Sequence, residues 1–498
     1  MPISKISMNE KQSFRSILKT TGLFGGVEVL KILVNVFQTK IVAVILGPVG
    51  IGIQNMFTTM LYMLTSFFGL GLQTSAVREV ARANATNDEI TISKTIITLR
   101  RWINTTAIIG AVFMISFAKP LSQLTFDTPK YSLFIIFLSL ALIFTVLSNG
   151  QTALIKGLRR LKDLAKVSLC GSIISLIVSI PIFYFWGENG IVPVIIISAF
   201  CVLICSYVYA KKVVVKNVDI SYKESVVRGK EMVKIGFFLM LSTFLAQLSS
   251  YSINGYISHV GNFADVGYYR AGYLITTHYV GLIFTAMGAD FLPRLTEANE
   301  KANQMSEVVH AQSLVALLII TPLLTFLFPL IKIIISILYS TEFYVIENYI
   351  SWAALGLLSR LCVWCLSYIL LAKGFSVRYF VSELFANLTN VLFCIWGYKW
   401  FNIQGLGIAF CLNNIICLLF NYVIVIRSCD FRYNNRFWSR FMLANLLLIV
   451  LFLFHRFFNN LWGNIVLLVV SLIVTLYCLK ILKKKSEFSL RTFFKKKN

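Results

Sequence analysis

Long apolar segments recur along almost the whole chain, from about residue 20 to residue 479. A helix that crosses a hydrocarbon core of about 30 Å needs about 20 apolar residues, and fourteen segments reach or approach this length. Their apolar runs are continuous, whereas the strands of a membrane barrel would alternate in blocks of about ten residues. The pattern therefore predicts fourteen helical spans, at 20–46, 51–75, 102–118, 131–155, 167–187, 190–210, 232–258, 268–291, 308–331, 345–372, 379–398, 404–426, 441–458 and 462–479.

The composition agrees with a chain that lies mostly in a membrane. Hydrophobic residues make up 57% and charged residues 13%, whereas soluble domains carry about 25% charged residues. No polar stretch is long enough to fold into a soluble catalytic domain, and an aromatic content of 14% excludes a disordered chain. The predicted fold class is therefore an all-α polytopic membrane protein.

The net charge of +25 reflects where the loops lie. If the N-terminus is cytoplasmic, 36 of the 46 Lys and Arg residues fall on the cytoplasmic side, five fall outside and five lie within spans. The positive-inside rule then places both termini in the cytoplasm. Because these charges are spread over eight short loops, attraction to anionic membrane lipids explains them better than binding to a nucleic acid.

The sequence also repeats itself at an offset of about 217 residues. Four short matches occur in order, among them the recurrence of Leu154-Ile155-Lys156-Gly157 as Leu371-Ala372-Lys373-Gly374. Each repeat carries six spans, an even number, so two six-helix lobes share one orientation in a parallel pseudo-repeat, as in many transporters. The predicted organisation is a basic N-terminus (1–19), an N-lobe (20–210), a linker (211–231), a C-lobe (232–426), two extra C-terminal spans (427–479) and a basic tail (480–498).

Polar side chains inside the spans are the candidate functional residues, because such residues are costly in lipid and usually face a cavity or one another. In the first span Glu28, Lys31, Asn35 and Gln38 share one helix face by their spacing. The other candidates lie in later spans: Asn55, Tyr62, Gln247, Tyr251, Asn254, Arg270, Glu347, Arg360, Glu383, Asn387 and Asn390. The alternative is that the amides and hydroxyls only tie helices together, at about 0.6 kcal/mol for each bond.

Several kinds of chemistry find no support in the sequence. There is no phosphate-binding loop of the GxxxxGK[ST] type, and no two of the seven Asp residues are spaced as in a DxD metal pair. Cys362 and Cys365 form a CxxC, but they lie in an apolar helix without a neighbouring His, so we interpret them as small packing residues. The chain is therefore not expected to be an enzyme or to hold a cofactor or a metal.

Five segments together resemble the Wzx-type O-antigen and lipid-linked oligosaccharide flippases, which belong to the multidrug/oligosaccharidyl-lipid/polysaccharide exporter superfamily. The resemblance covers about residues 15–426, and it leaves the last two spans without an assigned role. It implies two lobes around a cavity that opens alternately to each side of the bacterial inner membrane. The segments are LGPVGIGIQNMF (46–57), ALIKGLRRLKD (153–163), VGYYRAGYLI (266–275), FLPRLTEAN (291–299) and LLSRLCVWCLSYILLAKGFSVRYFVSEL (357–384).

The resemblance implies a substrate, an undecaprenyl-diphosphate-linked oligosaccharide that moves from the cytoplasmic to the outer leaflet. An anionic head group needs cations in a hydrated cavity, and Lys31, Arg270 and Arg360 are the candidates. The polar stripes would meet the sugar hydroxyls. Glu28, Glu347 and Glu383 would balance charge or carry a coupling H⁺ or Na⁺, and a polysaccharide polymerase is an expected partner.

Two alternative functions are weaker on sequence grounds. A multidrug antiporter of the same superfamily would need an acidic cavity for cationic drugs, whereas cations dominate the middle of these spans. A membrane polysaccharide polymerase or ligase would need a large outer loop, whereas the longest outer stretches, 119–130 and 332–344, have about a dozen residues each. The second of these stretches is predicted to form a broken, partly re-entrant turn.

Overall fold

In a computed structural model, every regular element among the described residues is helical. The structure describes the backbone at 8–86, 88–213, 218–298, 304–429, 431–458 and 460–495. Within these ranges some side chains lie outside the description, and they belong to residues 8–29, 32, 161, 235, 238–239, 278–279, 282, 285–286, 289–290, 293 and 484–495. The chain divides into two compact units, Met1–Val266 and Gly267–Asn498.

The first unit contains eight helices and the start of a ninth. They are α1 (Met8–Phe68), α2 (Leu72–Ala85), α3 (Glu89–Ser116), α4 (Ala118–Phe126), α5 (Ser132–Gly157), α6 (Leu161–Trp186), α7 (Ile191–Lys211), α8 (Tyr222–Val260) and the beginning of α9 (Phe263–Tyr273). Short 3₁₀ turns at Pro129–Tyr131 and Gly187–Gly190 connect two of the pairs.

The second unit contains the end of α9, a π-helical turn and six further helices. The π-helical turn spans Leu274–Tyr279 and leads directly into α10 (Val280–Ala298). The helices that follow are α11 (Gln304–Leu338), α12 (Glu347–Ala372), α13 (Ser376–Cys429), α14 (Asn435–Phe457) and α15 (Leu461–Lys495). A 3₁₀ turn, Thr341–Ile346, joins α11 to α12.

The prediction of about fourteen spans is confirmed once two breaks within long helices are taken into account. The backbone leaves helical geometry inside α1 at Gly47, with φ 63°, and inside α13 at Asn402, with φ 49°. Glycine accepts this left-handed φ, and Pro48 directly after it is suited to begin the next helix. Each of these two helices therefore holds two of the predicted spans.

Apolar length alone identifies most of these spans. Eight helical stretches among the described residues are long and apolar enough to cross a membrane, or nine when α3 and α4, bent by 69°, count as one span. Three of the eight hold two predicted spans each. The predicted seventh and eighth spans, on α8 and on the stretch from α9 to α10, carry more polar residues and are not among them.

The expected re-entrant turn at 332–344 is wrong in its first half. Helix α11 continues to Leu338, so residues 332–338 extend the ninth span, and a 3₁₀ turn follows. Lys332 lies within this helix, and its ammonium group reaches Glu347 Oε2 at 3.7 Å. Helices also extend into segments predicted as basic ends, since α1 begins at Met8 and α15 ends at Lys495. The lobe boundaries at 210 and 232 stay predictions.

The C-terminal ends of α5 and α12 have the same local structure, as expected for corresponding positions of the repeat. At the end of α5, Arg160 N donates to Ile155 O and the preceding residue has φ 56°. At the end of α12, Phe375 N donates to Leu370 O and Gly374 has φ 72°. Both are left-handed helix caps with the same hydrogen-bond pattern. The two caps are 215 residues apart, two fewer than the offset of 217 between the matching sequence segments.

The last two helices pack inside the second unit. On α15, Cys478 lies in an apolar cluster with Leu314 and Leu318 of α11. On α14, Phe452 contacts Trp352 of α12, with ring centroids 4.7 Å apart. Spans thirteen and fourteen therefore cover apolar surface of α11 and α12.

Candidate functional site

A polar cavity of about 430 Å³ opens between α1, α5, α6 and α7 in the first unit, and we call it the Lys31 chamber. The spacing of Lys31, Asn35 and Gln38 predicted that these three side chains share a face, and all three line this cavity. Lys31 is the one charged residue among the described residues that line it. The other polar lining residues are Gln54, Thr58, Tyr62, Thr145, Ser148, Asn149, Ser168, Ser172, Ser175 and Ser198.

A short hydrogen-bond chain crosses the Lys31 chamber from α1 to α7. Gln38 Nε2 donates to Ser175 Oγ at 3.2 Å. Ser175 Oγ lies 2.8 Å from Ser198 Oγ, and either hydroxyl can be the donor. The chain fixes three helices around the cavity, and amides and hydroxyls of this kind can exchange their bonds for those of a polar ligand. The side chain of Glu28, predicted to balance Lys31, lies outside the described residues.

A second cavity of about 350 Å³ adjoins the first, and we call it the Thr65 chamber. Tyr62, Thr145 and Asn149 line both chambers and form the partition between them. The predicted residue Gln247, on α8, lines this second chamber. The further polar lining residues are Thr65, Ser66, Gln73, Thr74 and Thr243.

Three predicted lining residues of the first unit lie instead in packed surroundings. The hydroxyl of Tyr251 is buried and lies 2.6 Å from Thr125 Oγ1. Asn55 and Asn254 are also buried, and the side-chain oxygen of each has no hydrogen-bond partner among the described residues. These positions are not among the residues that line either chamber.

In the second unit, Arg360 of α12 is the best-defined cationic candidate. Its Nη1 donates to Thr277 Oγ1 at 3.1 Å, and its guanidinium carbon lies 5.7 Å from the ring centre of Phe410. Glu383 of α13 lies close enough to Arg360 and to Tyr379 to interact with both. The half-buried Arg270 lies on α9, seven residues before Thr277. Lys31 therefore belongs to the first unit, and Arg270 and Arg360 belong to the second.

Each of the two amides predicted on α13 makes a bond within its own helix. Asn387 Nδ2 donates to the backbone oxygen of Glu383 at 2.8 Å, and Asn390 Oδ1 accepts a long bond from Cys394. Residues absent from the sequence prediction join the two parts of α13. Ser382 Oγ donates to Asn421 Oδ1 at 2.6 Å, and Thr389 Oγ1 donates to Asn413 Oδ1 at 2.7 Å. These two bonds therefore hold the two parts of α13 together.

Glu347 lies in an ionic cluster that links three helices of the second unit. Its Oε1 lies 3.3 Å from His455 Nε2 on α14, and its Oε2 lies 3.7 Å from Lys332 Nζ on α11. His455 is buried and packs near Phe328. Glu347 thus links α12 to α11 and α14.

The sequence prediction missed the serines of the Lys31 chamber. Ser168, Ser172 and Ser175 are spaced by four and three residues on α6, the same spacing as the stripe on α1. That spacing was the available signal. It is weak for serine, because serine hydroxyls commonly donate to their own helix, as Ser172 does to Ser168 O at 3.0 Å.

Comparisons with solved structures show the fold. The chain is similar to the lipid II flippase MurJ, with a TM-score of 0.72 and 12% identity over 93% of this chain and 99% of that one. It is also similar to a multidrug resistance MATE family transporter of the MOP superfamily, with a TM-score of 0.68 and 15% identity over 82% of this chain and 95% of that one. The fold is therefore the polytopic helical fold of these transporters.

Comparisons of sequence place the chain in a family. It is 21% identical to the lipid III flippase of Escherichia coli (strain K12) over 379 residues, which is 74% of this chain and 88% of that protein. The sequence model of a family described as polysaccharide biosynthesis protein matches residues 41–348, more than half of the chain. The chain therefore belongs to the polysaccharide biosynthesis protein family.

Proposed function

We propose that the chain is a flippase, a transporter without catalytic chemistry, for an undecaprenyl-diphosphate-linked oligosaccharide. It would move the head group from the cytoplasmic to the outer leaflet of the bacterial inner membrane by alternating access, with both termini in the cytoplasm. A relative is named a lipid III flippase and a structural neighbour a lipid II flippase, which supports this class of substrate. O-antigen or capsule repeat units are the substrates that fit the family best.

The observation that carries the proposal is the Lys31 chamber. Lys31 lies among hydroxyl and amide groups in a cavity of about 430 Å³. A polyprenyl tail can remain in the lipid while its head group crosses, so the protein must supply a hydrated route with a cation for the diphosphate. A lysine ammonium contacts phosphate as a point charge, and the surrounding hydroxyls and amides suit sugars.

The second unit would supply further groups for the same task. Arg360 offers a planar guanidinium that can bind phosphate with two hydrogen bonds. Glu383 lies within its electrostatic reach, and we assign this carboxylate to charge balance or to coupling by H⁺ or Na⁺. Drug antiport is the less favoured function, because a cavity for organic cations would need acidic lining and the described lining of the Lys31 chamber has none.

The proposal is tested by substitutions at Lys31 in protein reconstituted into vesicles with lipid-linked oligosaccharide from the producing cells. Lys31→Gln should reach the membrane in normal amount, and transport per inserted molecule should fall. A charge-assisted hydrogen bond contributes about 1.5–3 kcal/mol, so the fall should be roughly tenfold or more. Lys31→Arg keeps the charge and should retain part of the activity.

The matched control is Lys119→Gln, because Lys119 is exposed on α4 and outside both chambers. It should transport at the wild-type rate. Wild-type transport per molecule in Lys31→Gln would contradict a cationic cavity. Export of an organic cation such as ethidium, with no movement of the lipid-linked oligosaccharide, would instead support a multidrug antiporter.

A further inference from the structure

The Thr65 chamber differs in charge from the Lys31 chamber beside it. None of the described side chains that line the Thr65 chamber is charged. Its lining consists of hydroxyls, amides, one tyrosine and apolar groups, and it shares only its partition residues with the cationic cavity. The Lys31 chamber therefore favours an anionic part of a ligand, and the Thr65 chamber favours an uncharged polar part.

Three of the hydroxyls that line the Thr65 chamber donate their protons to their own helices. Ser66 Oγ donates to Met63 O at 2.7 Å, Thr145 Oγ1 donates to Ala141 O at 2.7 Å, and Thr243 Oγ1 donates to Met240 O at 2.9 Å. A hydroxyl has a single proton and two lone pairs, so while these helix bonds are kept the three oxygens can only accept further bonds. An ionised phosphate also offers only acceptors, and it would meet these lone pairs unfavourably.

One buried hydroxyl of this chamber has no hydrogen-bond partner among the described residues. Thr65 is 7% exposed, and its Oγ1 makes no hydrogen bond with any described residue. A buried hydroxyl without a partner costs about 1–3 kcal/mol, so a ligand that the Thr65 hydroxyl meets after a rotation of its side chain is stabilised. The amides of Asn149 and Gln247 add both donors and acceptors to the same space.

The size and the aromatic partition also limit the ligand. The chamber extends along α1 from Tyr62 to Gly69, just past the end of the helix. Seven helical steps correspond to about 10 Å. Its volume lies within the range of about 300–1,000 Å³ that is usual for small-molecule sites. Tyr62 is 50% exposed, so its ring can pack against the apolar C–H face of a sugar while its hydroxyl stays hydrated.

We propose that the Thr65 chamber binds the uncharged sugars nearest the diphosphate, and that Thr65, Asn149 and Gln247 determine which sugar is accepted. The inference rests on the proposed function, because it assigns the diphosphate to the Lys31 chamber and the adjoining sugars to this one. A sugar ring supplies several hydroxyl protons to the acceptors of this chamber, which a phosphate cannot do. A site that hydrogen-bonds a substrate hydroxyl discriminates strongly against a ligand that cannot make the bond.

The test measures the relative transport of two lipids in one population of vesicles. One is the lipid-linked oligosaccharide extracted from the producing cells, and the other is its epimer at one hydroxyl of the sugar next to the diphosphate. Wild-type protein should favour the native lipid. Thr65→Val, which keeps the shape of the side chain, and Gln247→Ala should each change the ratio of the two rates by about fivefold, as expected for one hydrogen bond.

Two further variants separate this inference from the proposed function. Lys31→Gln should slow both lipids by the same factor and leave their ratio unchanged. Thr105→Val is the matched control, because Thr105 is exposed on α3 and donates to its own helix at 2.9 Å. It should leave both the rates and the ratio as in wild type.

The outcomes are distinct. The inference is wrong if wild-type protein transports the native lipid and its epimer at equal rates. It is also wrong if the ratio of the two rates is the same in Thr65→Val and Gln247→Ala as in wild type. If wild-type protein moves neither lipid, the proposed function itself fails. A change of ratio in Lys31→Gln as large as that in Thr65→Val would also overturn the division between the two chambers.

Discussion

The guanidinium of Arg360 donates a hydrogen bond to the hydroxyl of Thr277 over 3.1 Å. The bond joins α12 to the π-helical turn Leu274–Tyr279. Such turns are rare and are found frequently at functional sites. Arg360 is therefore held at a place where the backbone departs from α-helical geometry, and its charge is oriented by a neutral partner that an anion could replace.

The first prediction concerns the charge of Arg360. A cation at the centre of a bilayer costs about 2.5–3.5 kcal/mol on insertion scales, so Arg360→Gln should insert in normal amount. Transport of the lipid-linked oligosaccharide per inserted molecule should fall roughly tenfold or more, because a charge-assisted bond to phosphate is lost. Arg360→Lys should keep part of the activity, since it retains the charge and loses the planar fork.

Thr277→Val is the companion variant. It removes the orienting hydroxyl and leaves the charge in place, so its loss of transport should be smaller than that of Arg360→Gln. If Arg360 only ties α12 to the π-helical turn, Arg360→Gln should instead lower the amount of inserted protein, and the remaining protein should transport normally. Comparing flipped product per molecule with total inserted protein distinguishes these results.

The sequence was sufficient for those features that depend on the spacing of residues along one helix. The interval from Lys31 to Asn35 and Gln38 placed all three on one face, and they line one chamber. It was not sufficient for side chains whose role depends on a neighbouring helix. Asn55 follows the same rules of spacing, but it is 4% exposed and lies in packed surroundings.

Helix limits were predictable where they depend on local chemistry and unpredictable where a distant partner matters. The break at Gly47 is encoded by the glycine and the proline that follows it. The extension of α11 to Leu338 is not encoded locally, because Lys332 within it pairs with Glu347 on the next helix. A charge near the end of an apolar run therefore suggested a turn that does not form.

A second prediction concerns the close approach of two backbones beside the Thr65 chamber. Gly71 has φ +67°, and a Cβ at this position would overlap the carbonyl oxygen of Gly236 on α8. Gly71→Ala should therefore destabilise the protein by about 1–3 kcal/mol, through backbone strain and loss of this contact. A lower thermal unfolding midpoint of the purified protein would show it.

Gly255→Ala is the control on the same helix as Gly236. A Cβ at Gly255 would meet nothing within 4 Å. The substitution should leave the unfolding midpoint unchanged or raise it slightly, because alanine favours a helix over glycine by about 0.5–1 kcal/mol. Equal midpoints for the two variants would mean that the turn before α2 does not approach α8 at Gly71.

A third prediction separates a structural from a coupling role for Glu347. The carboxylate contacts His455 Nε2 at 3.3 Å and Lys332 Nζ at 3.7 Å, and so joins α12 to α14 and α11. Glu347→Gln should lower the unfolding free energy by about 1 kcal/mol, because the remaining hydrogen bonds lose their charge. Transport per inserted molecule should stay close to wild type.

The control is Glu342→Gln, because Glu342 is exposed in the 3₁₀ turn before α12. It should change neither stability nor transport. The opposite pattern in Glu347→Gln, with an unchanged unfolding midpoint and a loss of transport, would assign Glu347 to coupling by H⁺ or Na⁺.

The last prediction concerns the orientation of the chain in the membrane. The positive-inside rule places both termini in the cytoplasm, since 36 of the 46 Lys and Arg residues then lie on that side. Single cysteines at Lys223→Cys and Lys484→Cys should react with a membrane-impermeant thiol reagent only after the cells are opened. Asp265→Cys, between the seventh and eighth predicted spans, should react in intact cells.

The ten native cysteines must first be replaced, and they are suited to it. All ten are free thiols, so alanine at each position breaks no disulfide and should give an unlabelled background. That background must transport at a measurable rate before the single cysteines are added. Labelling of Lys484→Cys in intact cells would imply an odd number of spans. Labelling of Asp265→Cys only in opened cells would mean that the first seven spans have the opposite orientation. The loops that carry most of the positive charge would then lie outside, and the positive-inside rule would fail for this chain.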